Sequence, residues 1–419
     1  MRRAPGEPRA EPEAEHINPS RTVEDMSKQA PREPHTPALG WSRAGLGLAM
    51  AAGGGAVGLA AAAWKAAAAL LDPARAGDPY TLPVLALNGD TVTLPATADT
   101  EGPGLCMLQW PGGYGLLGPA AVRSVRGVER ALSDRRGLPL NPGMRTRIRR
   151  HTFEGDPARA FGMAFEEIGV PTPLGSMPAW LVPCPQGAGG TWVVVVHGRG
   201  GTMAGMLRLL PALHALGLTA LVISYRNDAG APASRDRLFH LGDTEWLDLE
   251  AAVHEASRRG AAGVVAAGDS MGGAIVLQFL ARSPIADRVH AVVLDSPVLD
   301  WRPVLDLAAA QHRLAPGVLP MAKRIAAARA SLSWDRLDMV SRAAELTVPV
   351  LIVHGDADDV VPVATSDAFA AARPDLVTYV RLPGVGHVDG WITRSEACEA
   401  ALRSFMEGGS QVRALFHQR

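Results

Sequence analysis

Two kinds of apolar patterning alternate along the second half of the chain. Short runs rich in apolar and β-branched residues cover positions 191–196, 219–225, 263–267, 290–294, 348–353 and 377–382. Runs of that length predict strands, and 191–196 is apolar enough to be buried on both faces. Longer mixed stretches at 203–216, 244–258, 274–281, 303–346 and 395–406 predict helices, with Asp243 placed as the N-cap of the second. Ahead of them, 165–170 and 179–182 flank Pro173-Leu174-Gly175-Ser176, which predicts an antiparallel hairpin. Strands alternating with helices predict an α/β fold: a mostly parallel central sheet with helices on both faces. Ligands of such sheets bind beyond the carboxyl ends of the strands, so the loops there are where chemistry is expected.

The first part of the chain follows other rules. Residues 1–40 are rich in Pro, Glu and Arg without aliphatic periodicity, and a segment that buries so little apolar surface is expected to be disordered. Residues 44–64 then run 21 positions without a charge, long enough to cross a bilayer as a helix, although six are Gly and nine are Ala. Residues 41–71 are therefore read as a transmembrane anchor, with a signal peptide and a soluble Ala-rich helix as the competing readings. The basic residues Lys28, Arg32 and Arg43 before the span place its N-terminus inside and the larger C-terminal part of the chain outside, a single-pass, extracytoplasmic arrangement; secreted or cytoplasmic location is the alternative. Residues 72–160 read as a small β-rich extension, within which Arg145, Arg147, Arg149 and Arg150 form a solvated strand face.

Composition narrows the function classes. The chain has 419 residues, 47% of them hydrophobic, enough for one large core with extensions. A formal net charge of -1 provides no basic field for nucleic acid, and none is expected as a partner. The three cysteines, Cys106, Cys184 and Cys398, are scattered and make neither a disulfide framework nor a zinc site. No H-E-x-x-H or comparable spacing occurs, so neither a metal nor a cofactor is expected.

The chemistry concentrates in three loops. Gly268-Asp269-Ser270-Met271-Gly272-Gly273 lies between a predicted strand and a predicted helix, the context in which G-x-S-x-G forms a tight bend that exposes the serine hydroxyl. A serine needs an imidazole to take its proton, and the imidazole needs a carboxylate to fix its tautomer. His354-Gly355-Asp356-Ala357-Asp358-Asp359-Val360-Val361-Pro362 and Gly384-Val385-Gly386-His387 supply both, in the chain order Ser, Asp, His. A dinucleotide-binding reading of the glycines after Val196 fails, because Met203 stands where a small residue is required and no acid ends the next strand.

With His197-Gly198-Arg199-Gly200-Gly201 added, residues 165–407 resemble the α/β-hydrolase superfamily, more narrowly its serine acyl hydrolases and peptidase-like members. The resemblance implies Ser270 as nucleophile, His387 as base and Asp358 as acid, the carboxylate three residues after the glycine of H-G-x-x-D. Asp356 and Asp359 are its neighbours in the loop and Asp295 is the alternative acid. It also implies an oxyanion hole made of the backbone N–H groups of Met271 and Arg199. The Arg199 side chain is read as solvated and His197 as a structural residue. The expected organisation is a hydrolase domain over 161–410 with a small helical cap at about 300–346. The expected reaction is hydrolysis of a small-molecule carboxylic ester or other acyl substrate through an acyl-serine. A serine peptidase or amidase, and a catalytically silent membrane-tethered binding module, remain as alternatives. Oligomeric state is left open.

Overall fold

The computed structural model describes residues 55–75, 80–102, 106–149, 153, 155–184 and 190–408. The segment 1–40, expected to be disordered, lies outside the described residues. The first described element is helix α1 (Gly55–Leu71), followed by seven strands: β1 (Leu82–Pro83), β2 (Ala86–Asn88), β3 (Thr91–Leu94), β4 (Cys106–Trp110), β5 (Gly113–Ser124), β6 (Gly127–Gly137) and β7 (Arg145–Arg149). These pair antiparallel in the order β1-β7-β4-β5-β6-β3-β2 around a small core that includes Val92, Leu94, Leu108, Trp110 and Leu132. Arg145, Arg147 and Arg149 lie on β7, where Arg147 is tied down: it donates to Gln109 and lies 4.5 Å over the Tyr80 ring.

Eight strands build the main sheet: β8 (Glu166–Thr172), β9 (Gly175–Val182), β10 (Gly190–Val196), β11 (Thr219–Ile223), β12 (Ala261–Asp269), β13 (Val289–Asp295), β14 (Val350–Gly355) and β15 (Val377–Leu382). Their order is β15-β14-β13-β12-β10-β11-β9-β8, parallel from β15 to β11, with the hairpin β8–β9 added antiparallel at one edge. Period-two patterning explains how β10 is buried twice: Trp192, Val194 and Val196 enter one apolar cluster while Val193 and Val195 enter the other. Helices α2 (Trp246–Arg258), α3 (Met271–Arg282), α4 (Trp301–Gln311), α5 (Val318–Ala330) and α6 (Ser395–Gly408) complete the layers and the cap. This is the mostly parallel α/β sheet expected from the pattern and the α/β-hydrolase fold implied by the resemblance.

Two local readings change. The stretch 203–216 is not one helix but a 3₁₀ segment, Met203–Leu209, leading into the short helix Leu210–Ala215, which restarts where Pro211 can occupy a first-turn position without an N–H to donate. Helix α2 begins after Glu245, not Asp243. Asp243 is drawn away by two guanidinium groups, accepting from Arg282 at 2.6 Å and from Arg336 at 2.6 and 2.7 Å.

The largest correction concerns the N-terminal anchor. Among the described residues no helix is long and apolar enough to cross a membrane, which overturns the single-pass, extracytoplasmic arrangement expected through 44–64. Residues 44–54 lie outside the described residues, and the remainder of the predicted span forms the first part of α1. That helix has 17 residues, about 25 Å at 1.5 Å per residue, against roughly 30 Å of bilayer hydrocarbon. Val57 and Trp64 are exposed, but the apolar positions of its last turns are used inside the protein. Ala63 and Ala66 pack against Val318 and Ala322 of α5, while Ala67, Leu70 and Leu71 join the main core. Alanines are what this requires, because small side chains let two helix backbones approach closely. Burial of Leu70 and Leu71 contributes roughly 1.5–3 kcal/mol each to docking. The Arg329 guanidinium, 4.7 Å over the exposed Trp64 ring, closes the contact from the other side.

Candidate active site

Ser270 ends β12 and precedes α3 with φ 50° and ψ −118°, a conformation that costs an L-residue on the order of 1–3 kcal/mol and persists only where the surroundings enforce it. The surroundings here are two close backbone approaches. A Cβ on Gly268 would lie 2.5 Å from the Gly272 carbonyl, and one on Gly272 would lie 2.3 Å from the Val196 carbonyl oxygen. Ser270 N–H donates to the Asp295 carbonyl at 2.9 Å and the Ser270 carbonyl accepts from Val298 at 3.0 Å, pinning the bend to β13 and the loop after it.

Three predicted residues come together on this bend. His387 Nε2 lies 3.0 Å from Ser270 Oγ, and His387 Nδ1 lies 2.7 Å from Asp358 Oδ2. The carboxylate requires the proton on Nδ1, which leaves the Nε2 lone pair facing the hydroxyl. Burial alone would raise the Asp358 carboxyl, but the facing His387, a bond from His354 and the Val361 amide hold it well below the ordinary range. The Val360 amide donates to the same carboxylate oxygen, Oδ1, as Val361. Burial would lower the His387 imidazole; Asp358 first, then Asp269 and Asp295, raise it above its ordinary value. The loop carrying His387 is held by Val388 N–H donating to Ser296 Oγ at 3.2 Å and by Gly384 N–H donating to Asp356 at 2.7 Å. Asp356 is therefore a loop tie, Asp359 is exposed, and neither is bonded to His387.

Asp295, the alternative acid, belongs to a different group. With Asp269, the residue before Ser270, it shares the Arg208 guanidinium, at 3.2 and 2.6 Å respectively, and all three are buried. Burial, opposed by Arg208 and reinforced by Asp269, pushes the Asp295 carboxyl up to about 6.

The opposite side of Ser270 is formed by the turn after β10. His197 is buried, with Nε2 2.9 Å from Asp228 Oδ2 and Nδ1 2.8 Å from the Gly198 carbonyl. Both ring nitrogens face acceptors, an arrangement that favours the doubly protonated, charged ring. Although burial opposes the charge, Asp228 prevails and raises the His197 pKa. Tyr225 stacks on the ring at 4.5 Å, and its hydroxyl donates to the same Gly198 carbonyl at 3.0 Å. Met271 begins α3, so its amide has no intrahelical partner. The Arg199 side chain, read as solvated, is instead half-buried and donates to the carbonyls of Ala69 and Leu70 in α1.

Several of these partners were not singled out from the sequence. His354 is fully buried, with Nε2 3.0 Å from Asp358 Oδ2 and 3.2 Å from the Val361 carbonyl, so Nε2 carries the proton and Nδ1 accepts from Ser366 Oγ at 2.7 Å. Its place at the head of H-G-D was the available signal. Tyr225, Asp228 and Arg208 had none beyond their position after or between strands. Among the described residues no group of His, Cys, Asp or Glu is arranged to hold a metal ion.

A family model described as an alpha/beta hydrolase fold matches residues 191–331, and one described as a domain of unknown function matches residues 83–149. An uncharacterised protein of Mycobacterium tuberculosis strain H37Rv is 29% identical over 231 residues, covering 54% of this chain and 73% of that protein. The alpha/beta hydrolase domain-containing protein WAV2 of Arabidopsis thaliana is 25% identical over 286 residues, covering 64% of this chain and 85% of its own length. Among solved structures, the Pyrococcus furiosus esterase Pf2001 is similar at 16% identity with a TM-score of 0.50, covering 61% of this chain and 94% of the esterase, a likeness of fold.

Proposed function

The chain belongs to the α/β-hydrolase superfamily, and from that premise we propose that it is a serine hydrolase cleaving a small-molecule carboxylic ester through an acyl-serine intermediate. The observation that carries the reading is the continuous relay from Asp358 Oδ2 through both nitrogens of His387 to Ser270 Oγ, at 2.7 and 3.0 Å. Each contact has the polarity that proton removal from the serine requires. His387 Nε2 takes the proton as Ser270 Oγ attacks the ester carbonyl, and Asp358 stabilises the imidazolium that results. The carbonyl oxygen, now an oxyanion, receives the amides of Met271 and Arg199. Collapse expels the alcohol, which takes the proton from His387. A water activated by the same nitrogen then attacks the acyl-serine and releases the acid.

The test uses the full chain with a series of p-nitrophenyl esters of increasing chain length, beside Ser270→Ala, and a fluorophosphonate whose adduct is located by mass spectrometry. Turnover that vanishes in Ser270→Ala, with the label on Ser270, is expected. A folded chain with neither turnover nor adduct would sink the reading.

A further inference from the structure

The most unusual feature of the site is where the Arg199 guanidinium goes. Arg199 follows Gly198 in the turn beside the nucleophile, so close that a Cβ on Gly198 would lie 3.0 Å from the Ser270 Cβ. In a planar trans peptide the carbonyl of Gly198 and the N–H of Arg199 point in opposite directions. The carbonyl is occupied three times over, by His197 Nδ1 at 2.8 Å, Tyr225 Oη at 3.0 Å and Gly201 N–H at 3.0 Å. That fixes one end of the peptide plane. The other end continues into a side chain that donates to Leu70 O at 2.9 Å and Ala69 O at 2.5 Å, and lies 5.4 Å over the Phe239 ring. Phe239 N–H in turn donates to Leu71 O at 2.8 Å. Three successive carbonyls at the end of α1, which the helix itself leaves without partners, are thus taken up by Arg199 and Phe239.

We propose that α1 is a working part of the hydrolytic centre, acting through Arg199 as a positioning residue: its last carbonyls seat the guanidinium and hold the Gly198–Arg199 peptide with its N–H toward the oxyanion. The proposal rests on the serine hydrolase reading. It goes beyond that reading in assigning a catalytic duty to a helix some 130 residues before the turn it braces. If α1 were only a packing element, displacing it would cost stability and leave transition-state binding untouched. If it braces the donor, displacing it weakens the oxyanion selectively.

The experiment compares the full chain with Arg199→Met, Arg199→Lys and Ala66→Trp. Ala66 is 3% exposed against α5 and remote from the reacting atoms, so the last variant levers the helix away without altering Arg199. The readouts are kcat, KM, thermal midpoint, and inhibition by an alkyl trifluoromethyl ketone, which adds reversibly to a reactive serine and places an oxyanion in the hole. Removing an oxyanion donor outright costs about 100- to 1,000-fold in kcat, so misplacing one is expected to cost roughly 10- to 100-fold in Arg199→Met. The ketone should weaken by a similar factor with KM little changed. Arg199→Lys should recover part of both losses, and Ala66→Trp should reproduce them in kind. Folded Arg199→Met and Ala66→Trp with wild-type kcat and ketone affinity would overturn the proposal; where Arg199→Met fails to fold, Ala66→Trp decides alone. A wild-type chain that neither binds the ketone nor turns over esters sinks the hydrolase reading itself. A reactive Ser270 with unmoved variants sinks only the role of α1.

Discussion

Two histidines flank Ser270, each beside an aspartate, His197 buried and His387 partly exposed, and their second nitrogens face opposite kinds of group. His387 meets Asp358 through Nδ1 and a hydroxyl through Nε2, so one nitrogen is free to take a proton. His197 meets Asp228 through Nε2 and the Gly198 carbonyl through Nδ1, so neither nitrogen is free and both contacts favour the charged ring. The lesson is that residue type and aspartate partner do not make a base. What decides is the group opposite the second nitrogen.

The comparison breaks most sharply at the reacting side. Ser270→Ala and His387→Gln should each lower kcat by roughly 10⁶-fold, and Asp358→Asn by about 10⁴-fold, with KM altered far less. Single-turnover kinetics on the folded variants checks this, and a His387→Gln protein that retains most of its turnover would refute the division of labour.

On the other side the largest effect should fall on stability. Asp228→Asn leaves a buried imidazolium unpaired, and removing one partner of a buried ion pair costs roughly 3–5 kcal/mol. The sign with pH follows from the raised His197 pKa. The stabilisation from this pair is fully present below about 6.5, the unfolded value, and is lost as pH rises through the folded value. Denaturant unfolding across that range should show wild type losing stability toward alkaline pH and Asp228→Asn losing less, whereas parallel curves would mean His197 is not the charged partner.

A smaller change should come from His354, which shares Asp358 Oδ2 with His387 without touching Ser270. His354→Gln can still donate one hydrogen bond, so kcat should fall by about tenfold, one to two kcal/mol. A loss comparable to that in Asp358→Asn would promote His354 from support to an equal member of the relay.

How far all this was legible depends on whether a feature is local in sequence. The strands at 191–196 and 263–267 and the serine bend are written in contiguous residues, because an unbroken apolar run and two obligatory glycines are needed wherever such a bend forms. The loops that carry Ser270, Asp358 and His387 were legible for the same reason, as each follows an apolar strand, whereas the choice of Asp358 over Asp356 and Asp359 came from the family resemblance alone. The docking of α1 was not. An Ala- and Gly-rich stretch satisfies a length criterion for membrane crossing and also the close packing of one helix on another, and only the partner surface, Val318 and Ala322 some 250 residues later, separates the two. Charge pairs such as Arg208 with Asp269 and Asp295 are similarly silent in the sequence, since each partner looks like an ordinary loop or helix residue until the sheet brings them together.

That cluster provides the finest test of the two histidines. His387 must be neutral to act as a base, so turnover should fall as pH drops through its raised pKa, and the acid limb of kcat/KM should lie above the ordinary histidine value of about 6.5. Asp295 is one of the carboxylates that raise it, and with its own carboxyl at about 6 it is mostly ionised where the limb falls. Asp295→Asn removes that negative charge while leaving Arg208 paired with Asp269, so the limb should move down toward the ordinary value. His197 predicts the opposite limb, because loss of its proton at higher pH turns one of its two donors into a lone pair facing an acceptor and loosens the Gly198 turn. In Asp295→Asn the acid limb should therefore shift while the alkaline limb stays in place. An acid limb that stays put, or moves up, would show that the field of the Arg208 cluster does not reach the base.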